Sequence, residues 1–348
     1  MTSFTTNILT WYQSNQRDLP WRSSKHPYLI WVSEIILQQT QVRQGIPYYA
    51  RFIEAFPDVF TLAGASEQEV LKLWQGLGYY SRARNLHAAA KDVVERLKGQ
   101  MPDTKKELQK LKGIGPYTAA AIASIAYDEP VAVVDGNVYR LLSRYFAISI
   151  PIDTTDGRKH FEALAQQLLH GSPPASFNQA MMDMGAMICT PAQPKCHDCP
   201  LTTGCQAHLL NQQGNFPVKS KTIKKRDRFF NYLIIEKDQH LLINQRHNKD
   251  IWEGLYEFPL VESDKELTVM ALSDHILSQH HETTEIQLLT TSKHLLTHQT
   301  IYIRFFKLPH KATLTKKLAP KNAQFVAQTD LIHLPVPKPI ENAFKRII

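Results

Sequence analysis

LKGIGPYTA, residues 111–119, joins two segments that each have a helical pattern. Gly113 and Gly115 allow a tight turn whose backbone N–H groups stay uncovered, and Pro116 suits the first position of a helix. Uncovered N–H groups at the start of a helix bind phosphate. A Gly-x-Gly pair would also fit a plain connection between two helices. The segment therefore predicts a helical hairpin with a candidate phosphate site at its two glycines.

A carboxylate follows this hairpin at the end of an apolar run. Residues 131–140 read VAVVDGNVYR, which puts Asp135 twenty residues after Gly115 and at the start of a predicted helix. An aspartate in this place often caps a helix, and that interpretation competes with a catalytic one. The hairpin upstream favours the catalytic interpretation.

A second carboxylate, Glu34, interrupts an almost continuous apolar stretch near the N-terminus. Residues 27–42 read PYLIWVSEIILQQTQV, so Glu34 has Trp31, Ile35 and Leu37 as neighbours. Partial burial raises the pKa of a carboxyl, which can then hold a proton at neutral pH and act as a general acid. A glutamate on the exposed face of an amphipathic helix is the alternative.

The four cysteines lie close together in the sequence and indicate a metal site. Their spacing is C-x6-C-x2-C-x5-C, at Cys189, Cys196, Cys199 and Cys205. The N-terminus MTSFTTNILTWYQ lacks the pattern of a secretory signal, which argues against a disulfide framework. Zinc and a 4Fe-4S cluster both accept four thiolates, but the spacing differs from the paired C-x2-C of a zinc ribbon. We therefore predict a 4Fe-4S cluster, with zinc as the alternative.

Length and composition are those of a globular protein with two domains. The chain has 348 residues, 43% of them hydrophobic and 21% charged, and no run long enough to cross a membrane. Its net charge of +8 favours a polyanionic partner such as nucleic acid. Residues 1–216 have helical patterns, and capping boxes predict helix starts at Ser66, Thr104 and Ser176. These features predict a cytoplasmic protein.

The chain resembles the helix-hairpin-helix DNA glycosylases related to endonuclease III. The resemblance rests on the strings LPWR (19–22), SEIILQQTQV (33–42), GLGYYSRARNL (76–86), LKGIGPYTA (111–119) and VVDGNVYR (133–140). The cysteine spacing is similar to the iron–sulphur loop of that family. The resemblance is dense over residues 1–216 and weaker beyond them. It implies a mainly α helix-hairpin-helix glycosylase domain that includes the cluster loop at 189–205.

The resemblance to the adenine-specific members of this family also implies a reaction. A protonated Glu34 would give its proton to N7 of adenine, and the C1′–N9 bond would then break with oxocarbenium character. An ionised Asp135 would stabilise the sugar cation, electrostatically or through a transient covalent bond, and Glu34 would then activate the water. Tyr117 and Asn137 would support the sugar and the two carboxylates.

One hairpin position separates two chemistries in the family. Members that also cut the strand carry a lysine at the place of Tyr117, and its amine forms a Schiff base with the sugar. Tyrosine cannot do so. We therefore expect base release without an efficient lyase step.

The target base must leave the duplex before it reacts. By resemblance, Gln39 and Tyr79 enter the base stack near the lesion, while Arg22 and Thr40 line the site. Ordinary alternatives exist for the first two: Tyr79 could be a core aromatic, and Gln39 could be an exposed polar side chain. The glycines of the hairpin would bind the DNA backbone.

The composition changes after residue 216. We interpret residues 217–228 as a basic linker, which is either a solvated charge run or a contact with the DNA backbone. Residues 229–348 alternate strand-like runs with a helical stretch at 265–279 and predict an α/β domain. By resemblance this is a Nudix-like domain that recognises 8-oxoguanine. The helical stretch lacks the glutamate cluster of magnesium-dependent Nudix hydrolases, so we expect recognition without pyrophosphatase activity.

A loop in this second domain carries the candidate contacts to the oxidised base. Residues 293–298 read KHLLTH where the family often has Phe-Ser-His. Thr297 and His298 keep a hydroxyl and an imidazole, whereas Leu296 replaces the aromatic ring and can wedge without stacking. A plain polar pair at a strand edge is the alternative for Thr297 and His298.

The residues and the family resemblance together predict a DNA repair glycosylase, and we expect a monomer by default. Its partner would be double-stranded DNA, and it would hydrolyse adenine opposite 8-oxoguanine, more weakly adenine opposite guanine. A mismatch glycosylase with another target base and a non-catalytic iron–sulphur DNA-binding sensor are the alternatives. The presence of both Glu34 and Asp135 argues against the sensor.

Overall fold

The computed structural model describes residues 2–220, 225–247, 249–277 and 285–347. The chain divides into two units, Met1–Gly64 with Asn85–Thr222, and Ala65–Arg84 with Ile223–Ile348. The sequence had suggested two contiguous domains. The structure instead groups residues 65–84 with the C-terminal part of the chain. No helix among the described residues has the length and apolar character needed to cross a membrane.

The described residues up to 220 form helices and connecting loops. In chain order the α-helices are α1 (Ser3–Asn15), α2 (Pro27–Leu37), α3 (Val42–Ala55), α4 (Val59–Gly64), α5 (Glu67–Trp74), α6 (Ser81–Leu97), α7 (Lys105–Leu108), α8 (Pro116–Tyr127), α9 (Gly136–Tyr145), α10 (Thr155–Leu169), α11 (Pro174–Met187) and α12 (Gln206–Leu209). Short 3-10 turns lie at Pro20–Arg22, Cys196–Asp198, Thr202–Gly204 and Gln213–Asn215. Helix α5 and the start of α6 belong to the second unit.

Two of the three predicted helix starts are correct. Ser66 caps α5 in a complete capping box with Glu69, and Thr104 caps α7 by accepting from the N–H of Glu107. The predicted start at Ser176 is wrong, because α11 begins at Pro174 and Ser176 lies within its first turn. Proline has the φ angle of the first helical turn and needs no hydrogen bond for its nitrogen, so it takes that position.

The predicted hairpin is present between α7 and α8. Gly113 has a φ of +80°, and a Cβ there would lie 2.6 Å from the Cβ of Asn85. Gly115 is the N-cap of α8 and Pro116 its first residue, with no side chain bonded to the cap. The first N–H groups of α8 therefore stay uncovered, as the sequence predicts. Helix α8 then packs against α2, which carries Glu34.

Helix α11 organises the core of the first unit. It packs against α1 and α9 and contributes Met181 and Met184 to a buried cluster. Gly185 lies where α11 approaches the start of α9, and a Cβ on it would lie 2.7 Å from the carbonyl oxygen of Asn137. Only glycine permits this distance between the two helices.

The second unit is built on a mixed sheet. Its strands are β1 (Arg226–Lys237), β2 (His240–Gln245), β3 (Tyr256–Glu257), β4 (Leu260–Ser263), β5 (Gln287–Leu295), β6 (Gln299–Pro309) and β7 (Gln324–Ala327). The order is β3-β2-β1-β6-β5, with β4 paired to β1 and β7 to β2. Strands β1 and β6 are parallel, and the other pairs are antiparallel. The helices are α13 (Val269–Leu277), α14 (Ala312–Leu318) and α15 (Lys338–Ile347).

The structure corrects three boundaries predicted in this region. Strand β1 begins at Arg226, so residues 226–228 are not linker; Arg228 is buried and bonds Asp250 and Glu262. Lys221–Lys224 of the predicted linker lie outside the described residues. Residues 293–295 belong to β5, which leaves a turn at 296–298 before β6. The predicted helix at 265–279 is shorter, Val269–Leu277, and residues 278 and 279 lie outside the described part.

Replacement of Gly185 tests the packing of α11 on α9. Gly185→Ala should lower the free energy of unfolding by about 1–3 kcal/mol, because the added methyl group meets backbone atoms that cannot rotate away. Gly64→Ala is the matched control, since nothing lies within 4 Å of a Cβ at that helical glycine. Urea unfolding measures both. An equal effect of the two substitutions would contradict the close approach.

Candidate active site

A cavity of about 880 Å³ in the first unit brings most of the predicted site residues together. It lies between α2, α8, the start of α9 and α11, beside the 3-10 turn at 20–22. The predicted residues that line it are Arg22, Glu34, Gln39, Thr40, Tyr117, Asp135 and Asn137. Residues that are far apart in the sequence, such as Gln41 and Val134, therefore share one cavity.

Glu34 lies on the side of α2 that faces this cavity. It is only 7% exposed, so the alternative of an exposed helix face is excluded. Burial raises the pKa of Glu34 to about 7, and the nearby charge of Asp135 acts in the same direction. A hydrogen bond from Tyr117 and the charge of Arg22 oppose the shift. At neutral pH this carboxyl therefore has a substantial protonated fraction.

Asp135 is both a helix cap and a lining residue of the cavity. Its Oδ1 accepts from the N–H groups of Asn137 (2.9 Å) and Val138 (2.8 Å), and its Oδ2 accepts from Nδ2 of Asn137 (2.7 Å). Burial raises the pKa of Asp135 above its usual value, although these donors and the charge of Arg140 act in the opposite direction. The structure thus confirms the capping interpretation, and the position of Asp135 at the cavity is compatible with the catalytic one, which stays a prediction.

Asn137 and Arg140 hold this carboxylate in place. The Oδ1 of Asn137 accepts from Nη2 of Arg140 at 2.9 Å, while its Nδ2 donates to Asp135. Arg140 also donates to the carbonyl oxygens of Gly185 (2.6 Å) and Cys189 (2.7 Å). The sequence analysis did not identify Arg140 as a site residue. The signal was its position one turn after Gly136 on α9, which puts it near Asp135 at the start of that helix.

Tyr117 lies on the first turn of α8 beside Glu34. Burial and the neighbouring carboxylates raise its pKa well above the usual value, so its hydroxyl stays protonated. The hydroxyl contacts Sδ of Met182 at 3.6 Å. In this position Tyr117 offers a hydrogen bond and no amine.

The cavity has further polar lining that the sequence did not indicate. Arg17 and Gln179 both line it, and Oε1 of Gln179 accepts from the hydroxyl of Tyr12 at 3.0 Å. Gln179 was expected to complete a capping box with Ser176, but it lies in the second turn of α11. No local pattern distinguishes such a residue, because its role depends on helix packing.

Two predicted DNA contacts have unusual backbone conformations. Gln39 has a φ of 57° and Tyr79 a φ of 49°. Positive φ values are uncommon for residues other than glycine, and strained residues of this kind concentrate at functional sites. Tyr79 is 46% exposed, which excludes the core alternative for it, whereas its neighbour Tyr80 is buried.

In the second unit, Tyr79 lies beside the turn at 296–298. The hydroxyl of Tyr79 is 2.7 Å from Oγ1 of Thr297. Both residues line a cavity of about 510 Å³ together with His298, Leu296 and Trp252. Arg84 donates to the carbonyl oxygen and carboxylate of Glu253 and so joins the start of α6 to the rim of this cavity.

The four cysteines surround one small space in the first unit. A cavity of about 20 Å³ is lined by Cys189, Cys196, Cys199 and Cys205. Nη1 of Arg144 lies 3.4 Å from Sγ of Cys189. Within the described ranges, no three or more His, Cys, Asp or Glu side chains are close enough together to hold one metal ion.

Comparisons with known proteins agree with this architecture. Residues 32–169 match the HhH-GPD superfamily base excision DNA repair protein family, and residues 231–346 match the NUDIX domain family. The adenine DNA glycosylase of Buchnera aphidicola from Acyrthosiphon pisum is 34% identical, and the alignment covers 99% of this chain and 98% of that protein. The chain belongs to the adenine DNA glycosylase family. This membership confirms the predicted fold class and the predicted resemblance.

Other relatives and solved structures extend the comparison. The mouse adenine DNA glycosylase is 39% identical over 75% of this chain, which spans 61% of the mouse protein's length. The structure of a thermostable thymine-DNA glycosylase is 31% identical, with a TM-score of 0.55 over 60% of this chain and 95% of that one. A trapped endonuclease III–DNA covalent intermediate is 19% identical, with a TM-score of 0.53 over 61% of this chain and 99% of that chain, and shows the shared fold.

The raised pKa of Glu34 predicts a stability that falls with pH. Below the usual value of 4.5 the carboxyl is protonated in both the folded and the unfolded chain. Between 4.5 and about 7 the unfolded chain loses the proton first, so stability declines over that range. Glu34→Gln should therefore raise the free energy of unfolding by about 3 kcal/mol at pH 8 and about 1 kcal/mol at pH 5.

Urea unfolding at the two pH values measures this difference. Glu54→Gln, which removes an exposed carboxyl from α3, is the matched control. Equal gains from Glu34→Gln at pH 5 and pH 8 would mean that Glu34 is ionised throughout, contrary to the buried geometry.

Proposed function

We propose that this chain is a DNA repair glycosylase that hydrolyses adenine from A opposite 8-oxoguanine, and more slowly from A opposite guanine. The observation that carries the proposal is a pair of carboxyl groups in one cavity, with Glu34 buried and Asp135 half-buried. Burial of Glu34 favours its protonated form, and Asp135 accepts hydrogen bonds from donors that favour its charge. Acid and base roles on two carboxyls in different environments suit N-glycosidic hydrolysis.

The reaction begins with adenine turned out of the duplex into the cavity. Glu34 gives its proton to N7, which makes the base a leaving group, and the C1′–N9 bond breaks. Asp135 stabilises the positive charge on the sugar, and Asn137 keeps the carboxylate oriented through the 2.7 Å bond to its Oδ2. Glu34, now ionised, takes a proton from the attacking water as oxygen bonds to C1′, which restores the acid.

The product is an abasic site in an intact strand. Tyr117 occupies the hairpin position where a lysine would form a Schiff base with the sugar. Its hydroxyl remains protonated and hydrogen-bonded to Glu34, so it supports the acid and does not attack the sugar. Strand cleavage then needs alkali or another enzyme.

The hairpin and the strained residues account for contact with double-stranded DNA. The uncovered N–H groups after Gly115 suit a backbone phosphate. Gln39 and Thr40 follow α2 at the cavity edge, where Gln39 can fill the space that the extruded base leaves. Arg22 lines the same cavity and can bind the base or its sugar. We propose that the enzyme acts as a monomer in the cytoplasm.

Recognition of 8-oxoguanine is assigned to the second unit. Thr297 and His298 line its cavity, and the hydroxyl of Thr297 already bonds Tyr79, so hydrogen-bonding groups and an exposed aromatic ring lie at one place. Leu296 supplies apolar contact without the stacking of a phenylalanine. Helix α13 carries Asp274 as its only carboxylate, which supports recognition without pyrophosphatase activity.

The cysteine residues suit a 4Fe-4S cluster better than zinc. Four thiols line one cavity, and four thiolates are the ligand set that such a cluster takes. Their spacing in the sequence differs from the paired C-x2-C of a zinc ribbon. The cluster would brace the loop at 189–205. Arg140 and Arg144, which bond the backbone at 189–191, would link that loop to α9.

Single-turnover excision tests the substrate and the carboxylate roles. Duplexes with A opposite 8-oxoguanine, A opposite G, A opposite T and T opposite G are each analysed with and without alkali. We expect cleavage only after alkali, fastest for A opposite 8-oxoguanine, and a loss of at least about a thousandfold in Glu34→Gln. The Glu54→Gln variant should retain wild-type rates.

The other outcomes separate the alternatives. Release of thymine would favour the activity named for the similar thymine-DNA glycosylase and overturn the substrate assignment. Tight binding without release from any duplex would favour a non-catalytic DNA-binding protein. Cleavage without alkali would contradict the role given to Tyr117.

Metal analysis tests the cluster. Protein purified without oxygen should contain about four iron and four sulfide per chain and little zinc, and Cys199→Ala should lose most of the iron. One equivalent of zinc with no sulfide would contradict the proposal.

A further inference from the structure

The carboxylate of Asp183 on α11 lies outside the set of residues assigned to the reaction. It is completely buried, with none of its side chain exposed. A buried charge is costly unless it is fully paired, and removal of one partner from such a pair is strongly destabilising. Asp183 does not line the cavity itself, so any effect that it has on the cavity must act through the groups that it binds.

Asp183 binds two arginines at once. Its Oδ1 accepts from Nε of Arg17 (2.7 Å) and Nη2 of Arg22 (2.9 Å), and its Oδ2 accepts from Nη1 of Arg22 (2.7 Å). The backbone N–H of Arg17 also donates to Oδ2 at 3.2 Å. Arg22 is thus held in a two-pronged pair, which fixes the plane and position of its guanidinium.

Both arginines line the cavity that contains Glu34. The titratable groups that face Glu34 are Arg22 from the 3-10 turn, Tyr117 from α8 and Asp135 from the start of α9. Arg22 is the cation among them. A free guanidinium there would favour the ionised form of Glu34, whereas the carboxylate of Asp183 neutralises part of its charge.

We propose that Asp183 is a positioning residue that holds Arg17 and Arg22 at the wall of the cavity and keeps Arg22 from ionising Glu34. The inference rests on the proposed function of Glu34 as the acid. Asp183 takes no part in proton transfer; it acts through the two arginines. A purely structural brace would affect folding but would leave the ionisation of Glu34 unchanged.

Asp183→Asn removes the compensating charge while it keeps the shape of the side chain. The positive potential at Glu34 then rises, its pKa falls, and less of it is protonated at neutral pH. The excision rate falls at alkaline pH as Glu34 loses its proton, and we call this part of the pH profile the alkaline limb. We expect the midpoint of the alkaline limb to move down by about one pH unit, with an approximately tenfold lower rate at pH 7.5. Asp183→Glu, which keeps the charge, should retain the limb. Asp156→Asn, which removes an exposed charge from α10, is the control.

Arg22→Gln removes the cation of the pair instead of the carboxylate, so it should shift the pH profile in the opposite direction, and it provides a test if Asp183→Asn does not fold. Asp183 then still has Arg17 as a partner. Loss of the cation near Glu34 should move the alkaline limb to higher pH, whatever happens to the rate itself. A limb that stays in place in both variants, or that moves in the same direction in both, would overturn the proposal.

A double-mutant cycle tests the coupling without any measurement of base release. The gain in unfolding free energy from Glu34→Gln at pH 8 is compared in the wild-type and the Asp183→Asn backgrounds. We expect a smaller gain in the second background, because Glu34 is then easier to ionise. Equal gains would overturn the inference. A smaller gain together with no adenine release would sustain it and refute the proposed function instead.

Discussion

The burial of one carboxyl, Glu34, is the constraint on which the rest of the proposed active-site cavity depends. A carboxyl that must keep a proton at neutral pH needs apolar surroundings, and these come from α2 and the alanine-rich α8 packed against it. Burial also raises the pKa of Asp135, but this carboxylate caps α9 and so receives two backbone N–H groups that oppose the rise. Helix packing and a helix end thus give the two carboxyls different surroundings.

The arrangement depends on close contacts that tolerate little change. Gly185 lets α11 approach the backbone of Asn137, and Asn137 in turn holds Asp135. Arg140 extends these bonds to the carbonyl oxygen of Cys189, the first residue of the cysteine segment. Gln39 shows the same dependence, because it lies in the short connection between α2 and α3. The two helices fix the ends of this connection, and Gln39 is held in a strained backbone conformation.

Local sequence patterns predicted much of this structure, and contacts between distant segments explain what they missed. The hairpin glycines, Pro116 and the two carboxyls follow from turn chemistry, helix starts and an acid within an apolar run. The pairing of Asp183 with Arg22 joins residues 161 positions apart and leaves no local pattern. The grouping of residues 65–84 with the second unit, and the extension of β1 to Arg226, likewise depend on tertiary pairing.

Infrared spectroscopy can show directly whether Glu34 carries a proton near neutral pH. Difference spectra between the wild type and Glu34→Gln, recorded from pH 5 to pH 9, isolate the band of this one protonated carboxyl. This band should be present at pH 5.5 and should disappear with a midpoint near pH 7. A midpoint near 4.5, the usual value for a glutamate, would contradict it.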